Sequence, residues 1–86
     1  MKTIKIDDPR LDESYSFLFA FRKGAVITKK GERAIQGEVV DGVYVGEVPG
    51  AKTGAVYARG KTLYEIKLAD QALHIIDEND IERTVK

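Results

Sequence analysis

Turn signals recur between short β-rich runs along this chain, and that spacing leaves room for little except strands. Val39-Val40-Asp41-Gly42-Val43-Tyr44 sets an Asp-Gly dipeptide between apolar pairs. A type I′ turn needs φ > 0 at both central residues, which Asp tolerates and Gly adopts freely, so a two-residue hairpin is expected at 41–42. Ala34–Val40 and Val43–Val48 are then its two strands. Tyr57-Ala58-Arg59-Gly60-Lys61-Thr62 reads as a second hairpin, joining Ala55–Ala58 to Thr62–Leu68. Arg22-Lys23-Gly24 and Lys29-Lys30-Gly31 place Gly where a three-residue hairpin takes a left-handed residue, with Ala25–Thr28 a short strand between them.

The remaining runs fit the same plan. Lys2–Ile6 alternates polar and apolar residues, the mark of a half-exposed strand. Asp8-Pro9 suits an N-cap followed by proline at a first helical position, so one helical turn or a polar loop follows it. Tyr15–Phe21 carries four of the seven aromatic residues on one parity and is expected to be the central core strand. Tyr64, Ile66 and Leu68 share one face of the next strand. Ala69-Asp70-Gln71 turns the chain into Ala72–Ile76, and Asp77–Glu82 suits a single helical or 3₁₀ turn. Phe17, Phe19, Phe21, Val43, Val45, Tyr64, Ile66 and Ile75 form the expected core.

Eighty-six residues make a single domain, 1–86, with one modest core. An apolar fraction of 43% is ordinary for a soluble chain, and 33% charged residues keep it well solvated. Net charge is zero, so no global field attracts nucleic acid or a membrane surface. The chain has no cysteine, which excludes disulfides, thiolate metal sites and cysteine nucleophiles. No apolar run approaches the roughly 18 residues that cross a bilayer, and no apolar leader follows Met1-Lys2-Thr3. A cytoplasmic setting without a membrane partner is the expectation.

The stretch from Gly42 to Glu82 carries a Pro49-Gly50 loop, a strand start at Thr53-Gly54-Ala55-Val56, Tyr64-Glu65-Ile66-Lys67-Leu68 and a closing Glu78-Asn79-Asp80-Ile81-Glu82. This spacing resembles the SH3-like small β-barrels of the KOW and Tudor kind. The Trp and acidic loop of peptide-binding SH3 domains are absent, and no full aromatic cage is evident. The resemblance and the turn ladder together imply an all-β fold. A small antiparallel hairpin meander closes into an SH3-like barrel or stays a compact sheet, with at most one or two short helical turns.

Motifs for catalysis and metal binding fail on spacing. Gly60-Lys61-Thr62 imitates the end of a phosphate-binding loop, but Ala55 stands where that loop needs glycine, and the run reads as strand instead of helix start. Asp77, Glu78, Asp80 and Glu82 lack the glycine at the sixth position of a calcium loop, which Glu82 occupies. His74, the lone histidine, shares a strand face with Ala72 and Ile76 and reads as a packed or edge residue. No enzyme activity, cofactor or metal is expected.

Two features point to partners. Arg22, Lys23, Lys29, Lys30, Arg59 and Lys61 sit at expected hairpin tips. On one rim, with Tyr57 or Tyr64 nearby for stacking, they would suit single-stranded nucleic acid. The strand Tyr15–Phe21 is apolar on both faces, more than a small barrel readily covers, so a second subunit is expected to cover it. Tyr15, Leu18 and Ala20 are the expected interface of that homodimer. The function read from the sequence is a self-associating, non-enzymatic macromolecular interaction module. Nucleic-acid binding through the basic tips is the alternative, and a small-ligand-binding barrel the third.

Overall fold

Asp41-Gly42 does not turn the chain. The computed structural model describes residues 2–9, 18–47 and 59–82, and in it one strand, β3 (Glu32–Glu47), runs straight through the dipeptide. Its ladder with β4 (Arg59–Leu68) pairs Val39 with Ile66 and then Asp41 with Glu65, leaving Val40 as the extra residue of a bulge. Gly42 is glycine for a different reason from the one a hairpin supplies. A Cβ built on it would lie 3.1 Å from the Ile6 side chain and 3.2 Å from the Phe19 ring, which pack directly over the strand. Glycine inside a strand marks either a bulge or a close approach, and here it serves the close approach. Gly60 likewise lies within a strand, paired with Gly46, so Arg59-Gly60-Lys61 opens β4 and is not a hairpin tip.

Four further strands complete one antiparallel sheet: β1 (Lys2–Lys5), β2 (Val26–Lys29), β5 (Leu73–Asp77) and β6 (Ile81–Glu82). The order is β5-β4-β3-β2-β6, and β1 pairs with β3 off that path. One edge of β3 carries β4, while the opposite edge is shared. β2 takes its first half through Val26↔Glu38, and β1 takes its second half through Thr3↔Val45. The fold is all-β and antiparallel, and a 3₁₀ turn at Glu78–Asp80 is the helical element placed between strands. Of the barrel and the sheet, the described residues form the sheet: β5 pairs with β4 alone and β6 with β2 alone.

The turns around β2 lie where the glycines predict them. Gly31 has φ +74° between β2 and β3, and Gly24 has φ +93° with its N–H on Val39 O. The core holds Ile4, Ile6, Leu18, Phe19, Ile27, Val39, Tyr44, Tyr64, Ile66, Ile76 and Ile81. Phe19, Tyr64 and Ile66 are in it as expected, and Phe21 packs against it half-buried. Val43 and Val45 are half-buried, with Tyr44 inside in their place. The bulge explains the exchange. A one-residue insertion flips strand parity, so Val39 before it and Tyr44 after it face the same side. Ile75 is outside and Ile76 inside. Phe17 lies outside the described residues.

Residues 18–21 are not a strand, which corrects the expected central strand over that part of its length. Leu18 and Phe19 are adjacent and both buried in the chain's own core. Hydrogen bonds from the sheet hold this segment in place, as follows.

Candidate interaction edge

Three polar side chains clamp the 18–21 segment to the sheet. Thr62 Oγ1 donates to Leu18 O at 2.7 Å. Phe21 N–H donates to Tyr64 Oη at 3.2 Å, and Ala20 N–H to Glu78 Oε2 at 3.1 Å. Tyr64 Oη in turn donates to the same Glu78 oxygen at 2.5 Å. Burial pushes the Tyr64 hydroxyl pKa far above its ordinary value, and the hydrogen bond to Glu78 adds to that. The clamp holds structure, with its donors and acceptors spent on one another.

It predicts how stability responds to alkali. An unfolded tyrosine loses its proton near pH 10, whereas Tyr64 in the fold keeps its own. Above pH 10 the folded state binds more protons, so stability falls as pH rises, by up to about 1.4 kcal/mol per pH unit from this group. Tyr64→Phe is expected to be less stable than the parent chain by about 1–2 kcal/mol at pH 7, and to close that gap by pH 11. Urea unfolding at both pH values measures it. A gap that stays constant would mean Tyr64 titrates like a free tyrosine.

On the outer face of the sheet, β5 forms an edge. Its hairpin with β4 turns through Ala69-Asp70-Gln71, with Gln71 N–H on Leu68 O, Leu68 N–H on Ala72 O, and Gln71 at φ +71°. A type I turn closed by a left-handed residue has these bonds. Because Leu68 and Ala72 form a bonded pair, alternation makes Ile66↔His74 and Tyr64↔Ile76 the bonded pairs of the ladder. The N–H and C=O groups of Leu73 and Ile75 therefore point away from β4, where no strand among the described residues meets them. The side chains of the same residues are 57% and 71% exposed.

Leu73 lies opposite Lys67, and Ile75 opposite Glu65. Half-buried Leu63 and Val43 continue the apolar strip inward. A shallow hollow of about 150 Å³ beside Ile75 is rimmed by Lys5 and Asp41. Lys5 Nζ donates to Asp41 Oδ2 at 2.9 Å and the Gly42 N–H donates to Asp41 Oδ1 at 2.8 Å. These bonds hold the Asp41 carboxyl below the usual carboxylate range, and the Asp41 bond raises Lys5. Each charge answers the other, so the hollow offers apolar contact and no activated group. A second cleft of about 380 Å³, between Phe21 and β2, is edged by Thr28, Gln36 and Glu82. Among the described residues no group of three His, Cys, Asp or Glu side chains could hold a metal ion.

The basic positions are not gathered on one rim. Lys29 and Lys30 lie at the start of β3, where Lys29 faces Glu32 at 3.4 Å and Lys30 Nζ donates to Asn79 O at 3.2 Å. Arg22 and Lys23 adjoin the middle of β3, since Gly24 bonds Val39, and Lys23 pairs with Asp7 at 3.8 Å. Lys61 and Arg59 lie opposite Val45 and Glu47, at the far end of the strand. The register thus separates Lys29 from Lys61 by 13 positions of β3 (Glu32 to Val45). Tyr64, at 0% exposure, is closed to base stacking, and Tyr57 lies outside the described residues.

Of the expected dimer residues, Leu18 is 3% exposed and belongs to the chain's own core. Ala20 is exposed, and Tyr15 lies outside the described residues. His74 is an exposed residue of the edge strand. Sequence reasoning missed Leu73 and Ile75, although Ala72-Leu73-His74-Ile75-Ile76 is apolar at both parities. That signature, assigned above to 15–21, marks β5 as well.

Comparison with known proteins finds no matching family model, curated protein or solved structure. No helix among the described residues is long and apolar enough to cross a membrane.

Proposed function

We propose that this chain is a non-enzymatic protein-interaction module that binds through the β5 edge and the apolar strip beside it. One observation carries the reading: two large apolar side chains stand exposed on a strand whose outer backbone groups are unpaired among the described residues. An exposed apolar edge is a template for another strand, which a chain ordinarily blunts unless it is used. The likeness to SH3-like small barrels remains our reading of the architecture. It is supported by the return of β6 onto β2, which brings the chain's last described strand back to the start of the meander.

Nucleic acid fits less well, because the basic side chains are distributed along β3 and partly paired with carboxylates. A small ligand in the cleft by Phe21 has exposed Gln36 and Glu82 as its polar contacts, with no buried polar group to fix an orientation. Self-association through residues 15–21 loses Leu18 to the core.

A random-peptide display selection against the folded chain tests the proposal. Peptides are expected to enrich on the parent chain and to be lost on Leu73→Lys/Ile75→Lys, two exposed positions whose change leaves the core intact. Enrichment that is absent, or equal on both proteins, would overturn it.

A further inference from the structure

We infer that the β5 edge takes up an extended segment of a partner protein as an added strand. That segment carries apolar residues at alternate positions and Lys or Arg at both ends. The inference rests on the interaction reading above and names the chemistry of the ligand. Leu73 and Ile75 present both elements of strand addition: outward backbone groups, from the bonding phase set at Leu68 and Ala72, and exposed side chains two residues apart on one face. In such binding the main-chain bonds supply affinity and the alternate side chains supply selectivity.

Charge decides the ends of the ligand. Exposed Asp70 precedes β5, and Asp77 and exposed Asp80 close it. On the neighbouring strand Lys67 and Glu65 cancel, and Lys30 at Asn79 O offsets part of the acidic charge at the far end. An edge with an apolar centre and acidic ends fits a strand with basic ends.

The same charges argue against a second copy of this chain. An antiparallel two-fold centred on His74 sets Leu73 against Ile75 of the other copy, and brings the Asp70 end of each copy beside the Asp77 end of the other. Centring it on Ile75 sets Leu73 against Asp77. Such pairings gather carboxylates at both ends or set leucine on one, which an unrelated basic strand avoids.

Three synthetic peptides provide the test: Lys-Arg-Val-Thr-Val-Thr-Lys-Arg, the same core flanked by Glu, and the basic peptide with Pro at the second Val. Fluorescence anisotropy measures affinity, and amide exchange followed by NMR locates the site. The basic peptide is expected to bind about tenfold tighter than the acidic one at low salt, with the ratio shrinking as salt rises. It should protect the Leu73 and Ile75 amides, and the Pro peptide should bind neither. Equal affinity of the two flanked peptides, protection elsewhere, or a dimer by light scattering that competes with the peptide would each overturn the inference. If display-selected ligands bind the edge yet lack basic flanks, this inference fails while the interaction reading survives. If no ligand depends on Leu73 and Ile75, both fail.

Discussion

Tyr64→Ala is expected to leave the chain largely unfolded at room temperature. Tyr64 is fully buried, and its ring meets Phe19 and Phe21 edge-on at centroid distances of 6.0 and 5.8 Å. Truncating a buried aromatic to alanine costs about 3–5 kcal/mol through lost transfer energy and the cavity left behind. The loss goes further here, because the hydroxyl also binds Glu78 and the Phe21 amide. Without it the 18–21 segment keeps, among the described residues, the Thr62 and Glu78 side-chain attachments. A small domain holds roughly 5–15 kcal/mol in all, and one of this length sits toward the lower end. Circular dichroism melting checks the result, and a midpoint within a few degrees of the parent would mean the clamp contributes little.

Gly37→Val should be as severe, by a different route. A Cβ at Gly37 would stand 2.4 Å from Lys67 O and 2.8 Å from its carbonyl carbon, both backbone atoms of β4. A side chain in the way can rotate, but a backbone carbonyl in a ladder cannot. β3 and β4 would have to separate at the pair Gly37↔Leu68, at a cost of about 3 kcal/mol or more, the upper end of overpacking. Gly31→Ala is the control. It has open space around it and only its φ of +74° to answer for, so about 1–2 kcal/mol is expected. Urea midpoints for the two variants separate steric exclusion from backbone preference, and equal midpoints would refute it.

Much of the strand content was legible because it depends on local chemistry. Alternation placed β1 and β4, Gly24 and Gly31 placed the turns around β2, and Asp77 caps the 3₁₀ turn through the Asn79 amide. What could not be read depends on distant partners. Asp-Gly suits a hairpin turn and a closely covered stretch of strand equally well. Which one forms was decided by Ile6 and Phe19 covering Gly42 from other parts of the chain. Once Val40 is a bulge, every inward position after it changes parity, so Val43 and Val45 gave way to Tyr44. The interaction edge was hidden for a related reason. Ile75 and Ile76 are alike as residues, and the register, which sets Ile76 opposite buried Tyr64 and Ile75 opposite Glu65, makes one inward and the other exposed.

The sharing of β3 among three neighbours bears on how the molecule breathes. β1, β2 and β4 all bond to it, so its amides can open to solvent only when much of the sheet opens with them. Among the described residues β5 is bonded on one side alone, so it can loosen by itself at far lower free energy. The chain thus couples a rigid spine to a margin free to adjust its twist, and an incoming strand would meet the part that adapts most cheaply.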